Sequence, residues 1–272
     1  MGVPSVGISG AVTSWTGTAN SALLSAIGAH TASLNISGGN ADRTAFAGSL
    51  TSVAMGPGLR SWTGSIQARF PSTAVNGIAG DLSISGGYNL HIQKWSLSIA
   101  ARVLEFTSFG STATTGGWKA ARPGILAITG SASALIDGTT AIALPALASG
   151  SSAAATFTMD GTRSFTGNVF YAATNPTIKV DDLNRVDYDL VMDGALTAVG
   201  SGNLFAAGAV GLPDWDTSGS DGVPDATLVF TASSGRTLSG PAFWSNITID
   251  VDPTTYTTVT VAVQGAGALT VA

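Results

Sequence analysis

Two histidines, His30 and His91, are the whole supply of imidazole in this chain, and it has no cysteine. Disulfides, thiolate metal sites and cysteine nucleophiles are therefore excluded. A serine triad needs its nucleophile on a sharp Gly-x-Ser-x-Gly elbow beside an imidazole; no such elbow occurs, and nothing brings a serine to His30 or His91. Both histidines read as polar residues at strand or loop edges. None of Lys94, Lys119 or Lys179 follows a glycine as a phosphate loop requires, and Gly265-Ala266-Gly267 lacks the third glycine and the helix of a dinucleotide site. Among acids, Asp181-Asp182 sits by a turn and Asp187-Tyr188-Asp189 puts two carboxylates on one strand face. With Glu105 the only glutamate, a protonated acid beside an ionised one has few candidates, so a solvated strand face is expected. One segment has ligand spacing: Asp214, Asp216, Asp221 and Asp225, interspersed with glycines. Clustered Asp oxygens suit a hard cation such as calcium, but the closing bidentate Glu of an EF-hand is missing, and an acidic connector is the simpler reading. No catalytic residue and no cofactor are expected.

Only 10% of the 272 residues are charged, against about 25% in ordinary globular proteins. Two readings fit: an outer surface largely covered by other protein, or an Ala/Thr-rich composition. The charge is also lopsided. Residues 1–136 carry +4 and residues 137–272 carry −9, giving the net −5. Neither half holds a basic patch dense enough to grip nucleic acid. The amino-terminal segment has no basic-then-apolar export pattern, and Val6 stands where myristoylation needs Ser or Thr. The most apolar run, 141–148, contains Pro145 and falls far short of the ~20 residues of a spanning helix. No membrane association is expected.

Short alternations bounded by Gly, Asn, Asp and Pro dominate, as in Trp95 to Ile99, Thr156 to Met159 and Thr257 to Val263. They predict a mainly β chain. One or two short helices are expected, over 21–27 behind an Asn20 or Ser21 cap and over 140–148, where Pro145 limits the length.

The sequence also repeats itself. Ser33-Leu34-Asn35-Ile36 matches Ser96-Leu97-Ser98-Ile99 at an offset of 63, and Asp42 to Phe46 falls on Glu105 to Phe109. After a three-residue gap, Pro57-Gly58-Leu59 and Trp62 to Ser65 fall on Pro123-Gly124-Ile125 and Ile128 to Ser131. A second module recurs further on. Arg163 to Gly167 answers Arg236 to Gly240, Thr177 to Asp181 answers Thr248 to Asp252, and Gly194 to Thr197 answers Gly267 to Thr270. The order is first module twice, then second module twice. Nesting is the simplest un-knotted pairing: an inner unit at 80–200, an outer unit of 5–75 plus 223–272, and a Gly/Pro/Asp-rich connector at 201–222. Interleaved pairing also satisfies the order.

A Trp-bearing strand, then Glu105-x-Thr107-x-Phe109, Trp118, Pro123-Gly124 and Thr129-Gly130-Ser131 resembles the front half of long-tailed (siphophage-like) phage major tail tube proteins. Phe157 to Asp160, Arg163 to Tyr171 and a closing Asp187 to Thr197 resemble the back half. The resemblance implies β-sandwich or partial-barrel units, two in one duplicated chain. It implies a structural virion protein that self-assembles into stacked rings, of three duplicated or six single subunits, forming a hollow conduit for DNA ejection. The implied partners are further copies of the chain and other tail proteins such as tape measure, terminator and distal tail. DNA would pass only in non-specific transit. The implied location is the virion tail, after synthesis in the host bacterial cytoplasm. Asp181, Asp182, Asp187, Asp189 and Asp193 would then suit an acidic lumen wall, or simply polar turns and strand faces. The alternatives are a capsid decoration or baseplate hub protein of the same fold, or a carbohydrate-binding adhesin sandwich using some of the six tryptophans.

Overall fold

The computed structural model describes residues 13–17, 29–42, 55–69, 80–85, 91–105, 118–136, 151–160, 163–179, 182–199, 226–231, 236–252, 255 and 257–272. These form β1 (Thr13–Gly17), β2 (Ala29–Asp42), β3 (Met55–Arg69), β4 (Asp81–Ile84), β5 (His91–Glu105), β6 (Ala121–Leu135), β7 (Ala153–Asp160), β8 (Arg163–Thr177), β9 (Arg185–Val199), β10 (Ala226–Thr231), β11 (Thr237–Val251), β12 (Thr258–Gly265) and β13 (Thr270–Val271). The chain is mainly β, and the described residues include no helix. Both segments expected to be helical, 21–27 and 140–148, lie outside the described residues. So do the offset-63 match at 43–46 with 106–109 and the connector at 201–222.

Alternation explains the strands. In β12, Val259, Val261 and Val263 are buried while Thr260 and Ala262 between them are half-exposed, as a pleat with one apolar side requires. All thirteen strands join in one antiparallel sheet with the main order β2-β3-β12-β11-β5-β6-β9-β8-β7-β4; β10 flanks β11 and β1 flanks β10. That order contains one six-strand sequence twice. β2-β3-β12-β11-β10-β1 and β5-β6-β9-β8-β7-β4 run through the same succession of a hairpin, the last strand, its predecessors and an amino-terminal strand.

Register repeats as faithfully as order. β2 and β3 shift register between Ala29/Thr31 and again between Gly38/Asn40. β5 and β6 shift between Ile92/Lys94 and Ala101/Val103, each 63 places further on. The pair Asn40↔Pro57 becomes Val103↔Pro123, so β3 maps onto β6 at 66, as the sequence match with its three-residue gap implies. Between β8/β9 and β11/β12 the offset is 73 in both strands. Tyr171↔Leu190 becomes Trp244↔Val263, and Ala173↔Asp189 becomes Asn246↔Ala262, with a bulge between the two pairs in each case. Thr177 corresponds in register to Asp250, not to Thr248, so the Thr177–Asp181 alignment was two residues out.

The core explains several repeated residues. Phe157 of β7 crosses onto β5, its ring 5.4 Å from Trp95 and steeply tilted. Phe230 of β10, 73 residues later, meets Trp62 of β3 at 6.4 Å in the same edge-on manner, an arrangement that favours aromatic pairs. A Cβ on Gly130 would lie 3.4 Å from the Phe157 ring, and one on Gly64 3.0 Å from the Phe230 ring. The glycine of each Thr-Gly-Ser therefore makes room for a phenylalanine. Opposite pairs also exchange volume. Gly265 faces the Trp62 ring so closely that a Cβ there would overlap it, whereas the matching pair is Ile128 and Met192. Large-plus-small has been traded for two medium residues, the kind of swap a packed core tolerates.

The two six-strand runs are not separate sheets. β11 pairs with β5 from Asn246↔Ala100 to Val251↔Trp95, which joins them edge to edge.

Candidate functional site

The pleat that buries one side of the sheet lays out the other side in rows. Directly opposed residues share a face. Thr31, Gln67, Thr260, Thr248, Ser98, Thr129 and Val191 follow one another across β2, β3, β12, β11, β5, β6 and β9. A neighbouring row contains Arg69, Thr258, Asp250, Ser96, Ser131 and Asp189. The row between them on the reverse side is Ala68, Val259, Ile249, Leu97, Gly130 and Leu190. Its side chains are buried apart from half-buried Gly130. One face is thus mainly polar and rich in hydroxyls, and the other is core.

The hydroxyls bond sideways to one another. Ser37 and Ser61 Oγ are 2.7 Å apart and Ser96 and Ser131 Oγ 2.9 Å apart. Ser98 Oγ donates to Asn246 Oδ1 at 3.2 Å and Thr248 Oγ1 donates to the same oxygen at 3.3 Å, so a polar link spans the β5–β11 junction.

Of the five aspartates suited to an acidic wall, Asp187, Asp189 and Asp193 stand exposed on this face of β9, with Tyr188 buried between the first two. Asp182 does not join them. It lies in the β8–β9 connection, where Leu183 N–H donates to its Oδ1 at 2.8 Å and Lys179 Nζ lies 3.3 Å from Oδ2. Those two contacts hold its carboxyl below the usual range. Asp181 lies outside the described residues. Lys94, Arg69 and Arg185 share the face with the carboxylates, which makes it mixed in charge rather than acidic. Asp250, on the same face at the junction, has its carboxyl pushed up by burial.

The remaining sequence candidates fare differently. Asp214, Asp216, Asp221 and Asp225 lie outside the described residues. Among the described residues no group of three or more His, Cys, Asp or Glu comes together. His30 and His91 fall in β2 and β5. Trp62, Trp95, Trp118 and Trp244 are buried, so none of these four rings is displayed for stacking on a sugar. A cleft of about 380 Å³ is lined by Ile36, Ser37, Gly38, Arg60, Trp118, Leu238, Leu269 and Val271. Its one ionisable group, Arg60, lies 6.0 Å from the centre of the Trp118 ring.

The hydroxyl face went unnoticed in the sequence, although Ser33-x-Asn35-x-Ser37 and Ser96-x-Ser98 carried its signal. Small polar residues at every second position mark only a strand until its neighbours are known.

No protein-family model matches the chain, and no curated protein does. Two solved structures are similar in part. One, described as the virion of a native gene transfer agent particle, shows 14% identity at a TM-score of 0.37, covering 47% of this chain and 100% of the other. The second, the tail of an empty gene transfer agent particle with C6 symmetry, shows 15% identity at 0.38, covering 46% and 98%.

Proposed function

We propose that this chain is a structural, non-catalytic subunit of a phage-type tail tube, holding two nested tube units at 80–200 and at 5–75 with 223–272. The observation that carries the reading is the six-strand order occurring twice, in matching register, with the two runs paired side by side through β11 and β5. A chain that already contains one unit-to-unit junction is suited to add others with copies of itself. Rotation that closes gives a ring and leaves no exposed edges. Three copies would supply six units per ring, and stacked rings would form a tube meeting other tail proteins at its ends.

The hydroxyl face is the candidate lumen lining. Tight phosphate binding needs several Lys or Arg acting together. Here Asp187, Asp189 and Asp193 dilute the few cations, and several hydroxyls are engaged with each other or with Asn246. DNA in transit would meet a polar, weakly attractive wall.

Negative-stain microscopy and native mass spectrometry of the purified protein test the reading together. Rings or hollow tubes whose single ring weighs three chains are expected. A protein that stays monomeric at every concentration tried overturns it.

A further inference from the structure

Matching residues in the two runs differ sharply in exposure at one place each. On β5, Ile99 is 1% exposed and Leu97 fully buried, because β11 lies beside them; their counterparts on β2 are Ile36, 51% exposed, and half-buried Leu34. On the other partner, Val251 is 4% exposed, whereas its counterpart Ile178 is 72% exposed. Ile249 is buried and its counterpart Pro176 exposed. Among the described strands, β2 has a neighbour only on its β3 side. Residues 170–177 of β8 have β9 on one side, β7 ending its pairing at Val169. On β11 the matching free length is the one that β5 occupies. Each molecule therefore carries one complete junction and, at opposite ends of its sheet, the two halves of another.

We infer that β2 of one copy pairs antiparallel with residues 173–178 of the next copy, the last part of β8 and the residue that follows it, in the register that β5 adopts on β11. The inference rests on the self-assembly proposed above. Carrying the β5–β11 pairs over by the offsets 63 and 73 places Ile36 opposite Thr174, Leu34 opposite Pro176 and Ala32 opposite Ile178 on the core side. On the hydroxyl side it places Ser37 opposite Ala173, Asn35 opposite Asn175 and Ser33 opposite Thr177. Core-side rows are mainly apolar and outer rows mainly polar, with Asn35 and Asn175 able to exchange amide hydrogen bonds where Ser98 and Thr248 meet in the internal junction. A slip of one residue would turn every one of these side chains to the wrong face; a slip of two keeps the faces, and against it the register follows that of the β5–β11 junction. Pro176 lacks an N–H and removes at most one ladder bond.

The natural absence of cysteine makes the test clean. Asn35→Cys with Asn175→Cys, and Ser33→Cys with Thr177→Cys, create opposed pairs within disulfide reach. Asn35→Cys with Thr177→Cys is the off-register control. Six strands separate β2 from β8 within one molecule, so any link is between molecules. Under mild oxidation both opposed pairs should give covalent dimers and trimers on a denaturing gel, and the control at least tenfold less. Rings that form while the opposed pairs stay unlinked, or a control that links as well, overturn the register and leave the ring reading standing. Unaltered protein that never assembles overturns both. Should the cysteine pairs misfold, Ile178→Asp serves instead: it should remain a folded β monomer by circular dichroism and lose the rings. Rings that persist in Ile178→Asp overturn the inference.

Discussion

β2 and β5 carry the same pattern, with Ser33-Leu34-Asn35-Ile36 in one and Ser96-Leu97-Ser98-Ile99 in the other, and make the same double-bulged hairpin with the strand that follows. Yet β5 is part of the interior and β2 is a rim. The difference lies beside them and not within them: β11 covers β5, and no described strand covers β2. Burial belongs to a strand's neighbours as much as to its residues. Two strands of the same pattern can hold very different shares of a molecule's stability. The comparison extends to other matched positions, which makes it open to attack by substitution.

The largest contrast is expected at Arg163 and Arg236, 73 residues apart. Arg163 is buried with Asp160. Its Nε donates to Asp160 Oδ2 at 2.7 Å, its backbone N–H donates to Oδ1 at 2.9 Å, and a terminal guanidinium nitrogen sits 2.5 Å from Oδ2. Removing one partner leaves a buried charge uncompensated, at a cost of about 3–5 kcal/mol. Asp160→Ala should lower stability by that amount in urea unfolding, whereas Arg236→Ala, at an exposed position, should stay within about 0.5 kcal/mol. Equal effects would show that the turn between β7 and β8 has no special part in the inner run.

Next comes the strand pair itself. Leu97→Ala removes a fully buried side chain and should cost about 2–5 kcal/mol. Leu34→Ala, on the half-buried rim, should cost the monomer less than about 1 kcal/mol. Measured in assembled protein instead, the gap should narrow.

The exchange of volume between Trp62/Gly265 and Ile128/Met192 supplies a third test. Gly265→Met alone forces a side chain into the Trp62 ring and should cost about 1–3 kcal/mol. Adding Trp62→Ile, which rebuilds the inner pair in the outer run, should recover at least half of that loss. Strict additivity of the two changes in a double-mutant cycle would break the correspondence.

The smallest effect concerns Asp250. Its carboxyl is raised by burial, so the folded state holds the proton more tightly than the unfolded chain does. Stability therefore falls as pH rises from below the unfolded carboxylate range through the raised value. Asp250→Asn should remove that dependence and give a slightly higher Tm at neutral pH, with no difference at acid pH. A lower Tm at neutral pH would mean that the carboxylate is favourably held at the β5–β11 junction.

Much of this architecture was legible in the residues. The offsets 63 and 66 read from Ser-Leu-x-Ile, Pro-Gly and Thr-Gly-Ser are those of the hairpin registers. The Thr-Gly-Ser match also has a local cause: its glycines, Gly64 and Gly130, clear space for Phe230 and Phe157. The Thr177 match failed for an equally local reason. A displacement of two residues keeps every side chain on its own face, so alternation cannot detect it, and only the bulges at Ala172 and Ser245 fix the count. The expected acidic wall was half visible. Asp187 and Asp189 alternate with buried neighbours, but of the cations that share their face only Arg185 is near them in sequence, while Lys94 and Arg69 come from other strands and leave no mark nearby.

The strands, their facing and the repetition follow from the residues alone, because a pleat of period two and a glycine beside a phenylalanine are local requirements. Which strand lies beside which was decided only in three dimensions. Backbone N–H and C=O groups are the same in every residue, so the edge of β5 bears no label naming β11. That junction exists because an unpaired edge and its apolar row must be covered by something, and the fold brings β11 within reach.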